Sequence, residues 1–541
     1  MTNYRKVLIL LIGIPFIYLG CTDLSENLMS DISAEAHYST ADGIHDLTVA
    51  MYDPLYEYYG YEAGEILTVP GTDEFTYAQG RRGLWNDYSA ALNPTESDAR
   101  GMFGIWNQFF RGINLTNSVL ARIDDAAGVT EAQRQRWTAE ARFLRGYYYH
   151  ILVQHFGGVH LTLDETIGVE TEAHRAPENE IWEVVVDDFL YAIDNLPLVQ
   201  TSFGRVTKNA ARHALAKTYL ILENWEDAAD LAIEIIDSGQ HSLLDNFADV
   251  FDPYNQEHDE VIWSVVRNQD TRVRRDVRTA RDFGMRQHTI QGVMPDNIYG
   301  SMTSRYLPTR FLIEEIFGND PDNGGINYWN DTRYFASFKE VYFYNDEANL
   351  PPGVAVGDTA WYGPTALQYQ QLTDQEAAQK GDDGNYIFMR MEDWTDALYT
   401  SMVEKFRHPD IQMYWGRNVI VMRLAETYLI AAEALMMDGR LDEAADYLNA
   451  VRLRAQAPGQ QIPLIAPEEL NIDEILNERS RELAGETMRW KDLKRTGKLL
   501  ERVRAYNDRA APNIQEHHLL RPIPQSQIDR TTNNYPQNPG Y

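Results

Sequence analysis

The stretch that decides the fold occurs twice, as NWEDAAD at residues 224–230 and again, in the C-terminal part of the chain, as RLDEAAD at residues 440–446. The match extends outward, since Ala216 corresponds to Ala432 at the same offset. In each copy one alanine precedes the turn and a second, Ala228 or Ala444, follows it. Small residues at these places allow two helices joined by a tight turn to approach closely. The pattern predicts helix pairs of the tetratricopeptide type, although two unrelated amphipathic hairpins would also satisfy it.

Helical periodicity extends on both sides of these two copies. Apolar residues recur at spacings of three and four, which predicts amphipathic helices. The segments with this pattern are 40–58, 106–123, 137–156, 181–196 and 472–496. In the last segment opposite charges lie three or four residues apart, a spacing that brings side chains together on a helix. The expected ion pairs are Glu478 with Arg481, Glu486 with Arg489, and Arg489 with Asp492.

The middle of the chain has a different composition. Residues 245–413 are rich in Gly, Pro, Asn and Asp and hold only short periodic stretches, of which 261–266 predicts a strand. Such a segment between two helical parts indicates an insertion, and insertions of this kind tend to lie on one face and bind ligands. We therefore expect a mostly α fold. An N-terminal helical region, 40–244, and a C-terminal one, 414–541, form a scaffold of helical pairs that carries a loop-rich insertion.

The single cysteine of the chain, Cys21, closes a short apolar segment that follows a basic start. Residues 7–19 are too few to span a membrane, which needs about 20 apolar residues. A Cys directly after a small residue, here Gly20, is where bacterial lipoproteins are cut and acylated, which anchors them to a membrane by lipid. We expect a signal peptide over 1–20, lipidation of Cys21 and a polar tether over 21–39. An ordinary signal peptide with an incidental Cys is the alternative.

Composition and motifs argue against several classes of function. The chain has no second thiol for a disulfide. A formal net charge of −33, from 81 acidic and 48 basic residues, argues against nucleic acid as a partner, because binding phosphates needs clustered Lys and Arg. The sequence has no nucleophile elbow, zinc-protease or phosphate-loop motif, so we expect no enzyme, no cofactor and no metal. A glycosidase with paired carboxylates and a calcium-binding turn at 320–325 are the alternatives.

Four parts of the sequence resemble one family. They are AEARFLRGYYY at 139–149, GRVTKNAA at 204–211, RLAE at 423–426 with NAVRLRA at 449–455, and LRPIP at 520–524 with QNPGY at 537–541. Together with Cys21 they are similar, in this order, to the RagB/SusD family of outer-membrane nutrient-uptake lipoproteins of Bacteroidota. One departure is His160, where the family usually has Pro.

The resemblance implies a fold with tetratricopeptide-like pairs on one side and variable loops on the other. It implies a lipid-anchored protein at the surface of the outer membrane. This protein would capture an oligo- or polysaccharide and deliver it, as a lid, to a SusC-like TonB-dependent transporter, without catalysis. Some members of the family bind peptides instead. A peptide- or protein-binding import lipoprotein is therefore the alternative, and a helical groove is a common seat for peptides.

A sugar site needs flat aromatic rings for the apolar face of the sugar and planar polar groups for its hydroxyls. Segment 72–88 and the aromatic positions of the insertion combine these side chains outside the helical pattern. In the family, the segment before the helix at 106 often contributes to binding. The candidate residues are Asp73, Tyr77, Arg81, Trp85, Tyr88, Trp329, Trp361 and Tyr362. The alternative for each ring is packing beneath a long loop.

Overall fold

About 51% of the protein is helical in the computed structural model, which describes residues 34–78, 83–97, 103–267, 277–296, 300, 303–318, 325–363, 387–388, 394–395, 398–407 and 416–541. The longer α-helices are Ala41–Ala50, Glu62–Thr68, Phe103–Arg122, Glu131–Phe156, Glu178–Asn195, Lys208–Ile221, Trp225–Asp237, Leu424–Met437, Leu441–Ala455, Ile472–Leu483, Arg489–Arg495, Leu499–Tyr506 and Gln525–Arg530. The short α-helices are Ala34–Tyr38, Leu55–Tyr58, Leu84–Asp87, Pro94–Ser97, Phe247–Val250, Thr279–Asp282, Arg333–Ser337 and Val403–Phe406. Phe311–Ile316 is π-helical. Among the described helices, none is long and apolar enough to cross a membrane.

The long helices pack side by side, mostly in chain order, and form the scaffold. The succession is Phe103–Arg122, Glu131–Phe156, Glu178–Asn195, Lys208–Ile221 and Trp225–Asp237. Leu424–Met437 then packs directly on Trp225–Asp237, although the whole insertion lies between them in the chain. Leu441–Ala455 and Ile472–Leu483 follow. The helical pairs therefore continue across the insertion, which confirms the predicted mostly α scaffold. The limits 245 and 413 of the insertion stay a prediction.

The two copies of the repeat fold into the same hairpin turn. In the first copy the backbone N–H of Asn224 donates to the carbonyl oxygen of Tyr219 at 2.9 Å. In the second, Arg440 donates to Leu435 at 2.9 Å, and both residues occupy the corresponding places of that copy. The alanines of both copies lie in one buried cluster, which is the close helix approach that the repeat predicts. These alanines are Ala216, Ala228, Ala432 and Ala444.

Gly439 and Glu223 occupy matching places in these turns and offer a test of them. Both have a left-handed backbone, with φ of 81° and 59°, which glycine adopts without the steric cost of a Cβ. A Cβ on Gly439 would meet no described atom within 4 Å beyond its chain neighbours. Gly439→Ala therefore changes only the conformational energy of the left-handed backbone and creates no steric clash with other residues. We expect Gly439→Ala to lower the free energy of unfolding by about 1 kcal/mol in urea denaturation. Glu223→Ala should change it by less than about 0.5 kcal/mol, and equal losses would contradict this account.

Short strands in the insertion connect it to the scaffold. The described strands are β1 (Phe75–Tyr77), β2 (Val261–Val265), β3 (Tyr306–Pro308), β4 (Val341–Phe343), β5 (Thr359–Tyr362), β6 (Ile387–Phe388) and β7 (Val419–Arg423). β1 pairs with β3, β2 pairs with β7, and β4, β5 and β6 form a three-stranded sheet. β7 runs directly into the helix Leu424–Met437. The antiparallel β2–β7 pair therefore brings the two ends of the insertion together at the scaffold.

The last helical segment is interrupted, contrary to the sequence pattern. The pattern predicts one helix over 472–496, but the structure has two, Ile472–Leu483 and Arg489–Arg495. Between them Gly485 and Thr487 have φ of 80° and 63°, which a right-handed helix cannot accommodate. Side chains on the two sides of this turn therefore do not share one helix face.

This turn explains why the predicted ion pairs form only in part. The pair of Glu478 with Arg481 is confirmed at 3.0 Å, since both lie on one helix. Glu486 lies in the turn, and it pairs with Arg423 at 2.8 Å and with Lys405 at 2.7 Å. The predicted pair of Glu486 with Arg489 is wrong, because it depends on a helical spacing that the turn interrupts.

One carboxylate, that of Glu482, joins the insertion to the C-terminal part of the scaffold. It accepts hydrogen bonds from Arg423 at 2.6 Å and from Arg333 at 3.0 Å, and it also pairs with Arg454. Arg333 belongs to the insertion, Arg423 ends β7, and Arg454 lies on the helix Leu441–Ala455. All four side chains are buried, so each charge depends on its partners for the solvation that it loses.

Candidate functional site

Asp73, a predicted ligand-binding residue, is buried and structural. Its carboxylate pairs with Arg489 at 2.6 Å and with Arg502 at 2.7 Å. Burial alone would raise the pKa of Asp73, but the two guanidinium groups outweigh it and hold that pKa below its usual value. The expected pairing of Arg489 with Asp492 is likewise wrong, because Asp492 pairs with Arg479 and Arg495. Asp73 therefore fastens its loop to the C-terminal helices and presents no oxygen to a ligand.

The aromatic residues around Asp73 are also part of the core. Trp85 is 0% exposed, and the guanidinium carbon of Arg521 lies 5.5 Å from its ring centroid. The hydroxyl of Tyr88 donates to the carbonyl oxygen of Gly71 at 2.8 Å, and Tyr77 is buried in β1. A ring without an exposed face cannot stack on a sugar. The prediction that these three side chains bind ligand is therefore wrong for this conformation, and the alternative of loop packing holds.

The aromatic candidates of the insertion separate into two clusters. Trp361 is fully buried and contacts Tyr342 edge to face, with ring centroids 5.6 Å apart. Tyr362 is 8% exposed, and Trp329 is partly buried against the main core. The structure does not bring Trp329 and Trp361 together, since they pack in different clusters. Burial removes Trp361 as a stacking ring, whereas Trp329 and Tyr362 keep part of their surface and stay a prediction.

Several sequence predictions fall outside the described residues. They are the signal peptide over 1–20, the lipidation site Cys21, Arg81 and positions 320–324 of the possible calcium turn. Within the described residues, no group of three or more His, Cys, Asp and Glu side chains is placed to hold a metal ion.

An open cleft of about 630 Å³ lies beside the end of the helix Ala41–Ala50. The residues that follow this helix form one wall, residues 202–205 form another, and β2 with Val266 closes the third side. We name it the tyrosine cleft, because Tyr52 and Tyr56 line it. Its volume falls within the range of small-molecule sites, about 300–1,000 Å³.

The two tyrosines of the cleft are held by hydrogen bonds at their hydroxyls. The hydroxyl of Tyr52 donates to Glu140 at 2.9 Å, and the hydroxyl of Tyr56 donates to the carbonyl oxygen of Val266 at 2.5 Å. Arg205 pairs with the same Glu140 at 2.7 Å and lies over the Tyr52 ring at 5.2 Å from its centroid. Burial raises the pKa of Tyr52 well above its usual value, so its hydroxyl remains a donor at physiological pH. The rings are thus fixed before any ligand arrives.

The rim of the tyrosine cleft combines apolar and charged groups. Phe203 is 36% exposed and Val49 is half exposed. Arg111 pairs with Asp53 at 2.8 Å, and both side chains keep free surface. A ring face beside a donor–acceptor pair suits a ligand with an apolar face and several hydroxyls. The charges balance within the cleft, since Arg111 is matched by Asp53 and Arg205 by Glu140.

Sequence reasoning missed this cleft. Tyr52 and Tyr56 lie on successive turns within the segment 40–58, whose apolar face is the one that the helical pattern singles out. Phe203 and Val266 belong to distant parts of the chain. No local sequence pattern connects these positions. The only sequence signal for the cleft is the presence of two tyrosines on the polar side of an amphipathic segment.

A smaller, more enclosed cavity of about 60 Å³ contains a carboxyl group with an unusual pKa. Glu65 lines it and is fully buried. Burial raises the pKa of Glu65 to about 8, and the neighbouring carboxylate of Asp282 adds to the rise. The Thr279 hydroxyl donates to Glu65. At neutral pH the acid is therefore mostly protonated and acts as a neutral hydrogen-bonding group.

Glu65 gives the protein a pH-dependent stability. The pKa of Glu65 in the folded protein, about 8, lies above that of a free glutamate. The contribution of Glu65 to the free energy of unfolding is therefore complete below about pH 4.5 and is lost as the pH rises to 8. Glu65→Gln stays neutral at every pH. We therefore expect its free energy of unfolding, relative to that of the wild type, to rise by about 1 kcal/mol per pH unit between pH 5 and 8. The measurement is the urea midpoint of both proteins across this range. Parallel pH profiles would contradict the raised pKa.

Comparisons with known proteins place the chain. Residues 259–541, more than half of the chain, match the model of the SusD family, and residues 27–220 match the model described as starch-binding associating with outer membrane. The SusD-like protein P25 of Formosa agariphila is 28% identical over 436 residues, which cover 77% of each chain. The starch-binding protein SusD of Bacteroides thetaiotaomicron is 22% identical over 457 residues, 77% of this chain and 75% of that protein.

Solved structures agree in fold. A laminarin-binding SusD-like protein has a TM-score of 0.69 at 22% identity, covering 93% of this chain and 100% of its own. The surface glycan-binding protein A of Bacteroides thetaiotaomicron has a TM-score of 0.66 at 21% identity, with coverage of 93% and 100%. The matched models cover most of the helical scaffold and most of the insertion. The chain therefore belongs to the SusD family.

Proposed function

We propose that this protein is a cell-surface lipoprotein that captures an oligo- or polysaccharide and delivers it, without catalysis, to a SusC-like TonB-dependent transporter in the outer membrane. The family carries the general role, and several relatives are named for binding starch, laminarin or surface glycans. The lipid anchor at Cys21 rests on the N-terminal sequence, and the matched model that names the outer membrane supports the location. Transfer to a transporter rests on the resemblance alone.

The observation that carries glycan binding is the tyrosine cleft. It joins an exposed ring, Phe203, to the Arg111–Asp53 pair on one rim, and its walls are already fixed by hydrogen bonds. Such a site can cover the apolar face of a sugar and pair with its hydroxyls at once. Since its charges balance, we infer a neutral glycan rather than a polyanionic one.

The test is affinity electrophoresis of the chain from residue 22 onward through gels that contain single plant, microbial or host polysaccharides. We expect retardation by one glycan, and Phe203→Ala or Arg111→Ala should each weaken binding about tenfold. Leu441→Ala is the matched control, because Leu441 is 37% exposed against 36% for Phe203 and lies on the scaffold helix Leu441–Ala455. The control should bind as the wild type does.

Other outcomes would redirect the proposal. If a glycan binds and both cleft variants bind normally, the site lies elsewhere, and Trp329→Ala and Tyr362→Ala are the next variants. If no polysaccharide retards the protein, glycan capture by this protein alone is contradicted. A peptide ligand, the alternative from the sequence, would then be tested with a peptide library.

A further inference from the structure

A small pocket lies where five scaffold helices meet, and it shares no lining residue with the tyrosine cleft. Its volume is about 20 Å³, enough for one particle of the size of a water molecule. Four cationic side chains line it: Lys217, Arg479, Lys491 and Arg495. We name it the cationic pocket. In a chain with a net charge of −33, this concentration of positive charge on the scaffold needs an explanation.

Three of these cations are balanced by three carboxylates. Lys217 pairs with Glu426 at 2.6 Å, and Arg479 pairs with Asp492 at 2.8 Å. Arg495 pairs with the same Asp492 at 3.0 Å and with Glu433. The carboxylates of Glu426, Asp492 and Glu433 thus account for Lys217, Arg479 and Arg495, and one positive charge is left over.

The surplus charge belongs to Lys491. Among the residues that the structure describes, Lys491 makes no ion pair or side-chain hydrogen bond, and its Nζ lies 5.5 Å from the centroid of the Tyr58 ring. Arg479 Nη1 is buried and also lacks a hydrogen-bond partner among the described atoms. His150 adds no charge, because burial and the nearby Lys491 lower its pKa well below the usual value. The pocket therefore holds an unpaired ammonium and an unused guanidinium N–H.

We propose that the cationic pocket binds a small monovalent anion, a halide such as chloride, between Lys491 Nζ and Arg479 Nη1. The anion would supply the fourth negative charge, and the two groups would donate to it. The volume is too small for phosphate or sulfate. Without an anion, burial and the charge of Lys217 lower the pKa of Lys491 to about 7, so the site loses part of its proton unless a negative charge enters.

Bromide tests the proposal in the crystal. Crystals of the mature protein grown with sodium bromide should give an anomalous peak within ion-pair distance of Lys491 Nζ. The same crystals of Lys491→Met should lack that peak and keep any peaks at the surface. A wild-type map with no peak in the pocket would overturn the proposal.

Thermal unfolding tests it in solution. The mature protein in detergent, at pH 6 and fixed ionic strength, is compared in sodium bromide and in sodium gluconate, whose anion is too large for the pocket. Near 100 times its Kd, bromide should raise the wild-type Tm by about 2 °C. Lys491→Met should show no bromide effect, and in gluconate it should be at least as stable as the wild type, since it removes a positive charge that has no ion-pair partner among the described residues.

Lys498→Met is the control for a general salt effect. Lys498 belongs to ion pairs with Asp473 and Glu501 and does not line the pocket. This variant should keep the full bromide shift. Equal Tm values of the wild type in the two salts, or an equal bromide shift in Lys491→Met, would overturn the proposal. Neither measurement involves a glycan, so the inference stands or falls independently of the proposed function.

Discussion

Glu482→Gln should lower the free energy of unfolding by about 3–5 kcal/mol, because it leaves three buried arginines without their shared carboxylate. Arg423 and Arg333 donate to Glu482 at 2.6 and 3.0 Å, and Arg454 completes the group. Glutamine keeps the shape and part of the hydrogen bonding, so the loss measures the missing charge. The urea midpoint, followed by tryptophan fluorescence, gives the difference.

The pH dependence of this difference is a second readout. Burial would raise the pKa of Glu482, but Arg454, Arg423 and Arg333 outweigh burial and hold it below the usual value. A carboxylate with a depressed folded pKa contributes its stability above its unfolded pKa and loses it as the pH falls. The gap between the wild type and Glu482→Gln should therefore narrow below about pH 4.5.

The control for Glu482 is an ion pair on the surface. Glu443 pairs with Arg440 three residues away, and both side chains are exposed. Glu443→Gln should leave the free energy of unfolding nearly unchanged, because water solvates both charges when the pair is lost. A loss below about 1 kcal/mol for Glu482→Gln, or equal losses in the two variants, would mean that the buried charges are solvated in another way.

Trp85→Ala should also cost about 3–5 kcal/mol of unfolding free energy, the range for truncating a fully buried large ring. Trp85 is 0% exposed and lies under Arg521, so its removal leaves a cavity beneath a buried guanidinium group. Domains of ordinary stability, about 5–15 kcal/mol, tolerate such a loss at room temperature. The folded variant should therefore bind glycan as the wild type does.

A comparison of Phe203→Ala with Trp85→Ala distinguishes a ligand-binding ring from a core ring. Phe203 is partly exposed in the tyrosine cleft, so its truncation should cost at most about 1 kcal/mol of stability and should weaken glycan binding instead. The two variants thus have opposite expected profiles. A stable Trp85→Ala that fails to bind glycan would contradict the burial of this ring and restore the sequence prediction.

The scaffold was predictable because its signals are local. Helical spacing, the small residues of the repeat and the turn that follows each first helix all lie within a single helix pair, and the structure reproduces both hairpins. The helix predicted over 472–496 fails at Gly485 and Thr487, where the backbone leaves the right-handed region. The charge spacing did not reveal this turn, because Glu486 and Arg489 pair with residues distant in the chain, Arg423 and Asp73, instead of with each other.

The candidate site was not predictable in the same way. Composition marks Trp85 and Trp361 as rings outside the helical pattern, but it cannot tell a ring that packs under a loop from one that faces solvent. Both rings are buried. The tyrosine cleft joins segments that are far apart in the chain, and only the folded arrangement of the scaffold brings them together. Long-range placement, not residue type, decided which aromatics keep an accessible face.

The β2–β7 pair has a consequence for how this protein can change. Most of the insertion lies between Val265, which ends β2, and Val419, which begins β7, and these two residues face each other across the antiparallel pair. The entropic cost of closing a loop rises only slowly with its length, so surface loops within this segment can grow or shrink at little entropic cost as long as its buried contacts, such as that of Arg333 with Glu482, are kept. Exchange of this segment between relatives could alter what the surface recognises while the helical body, and whatever docks on it, stays the same.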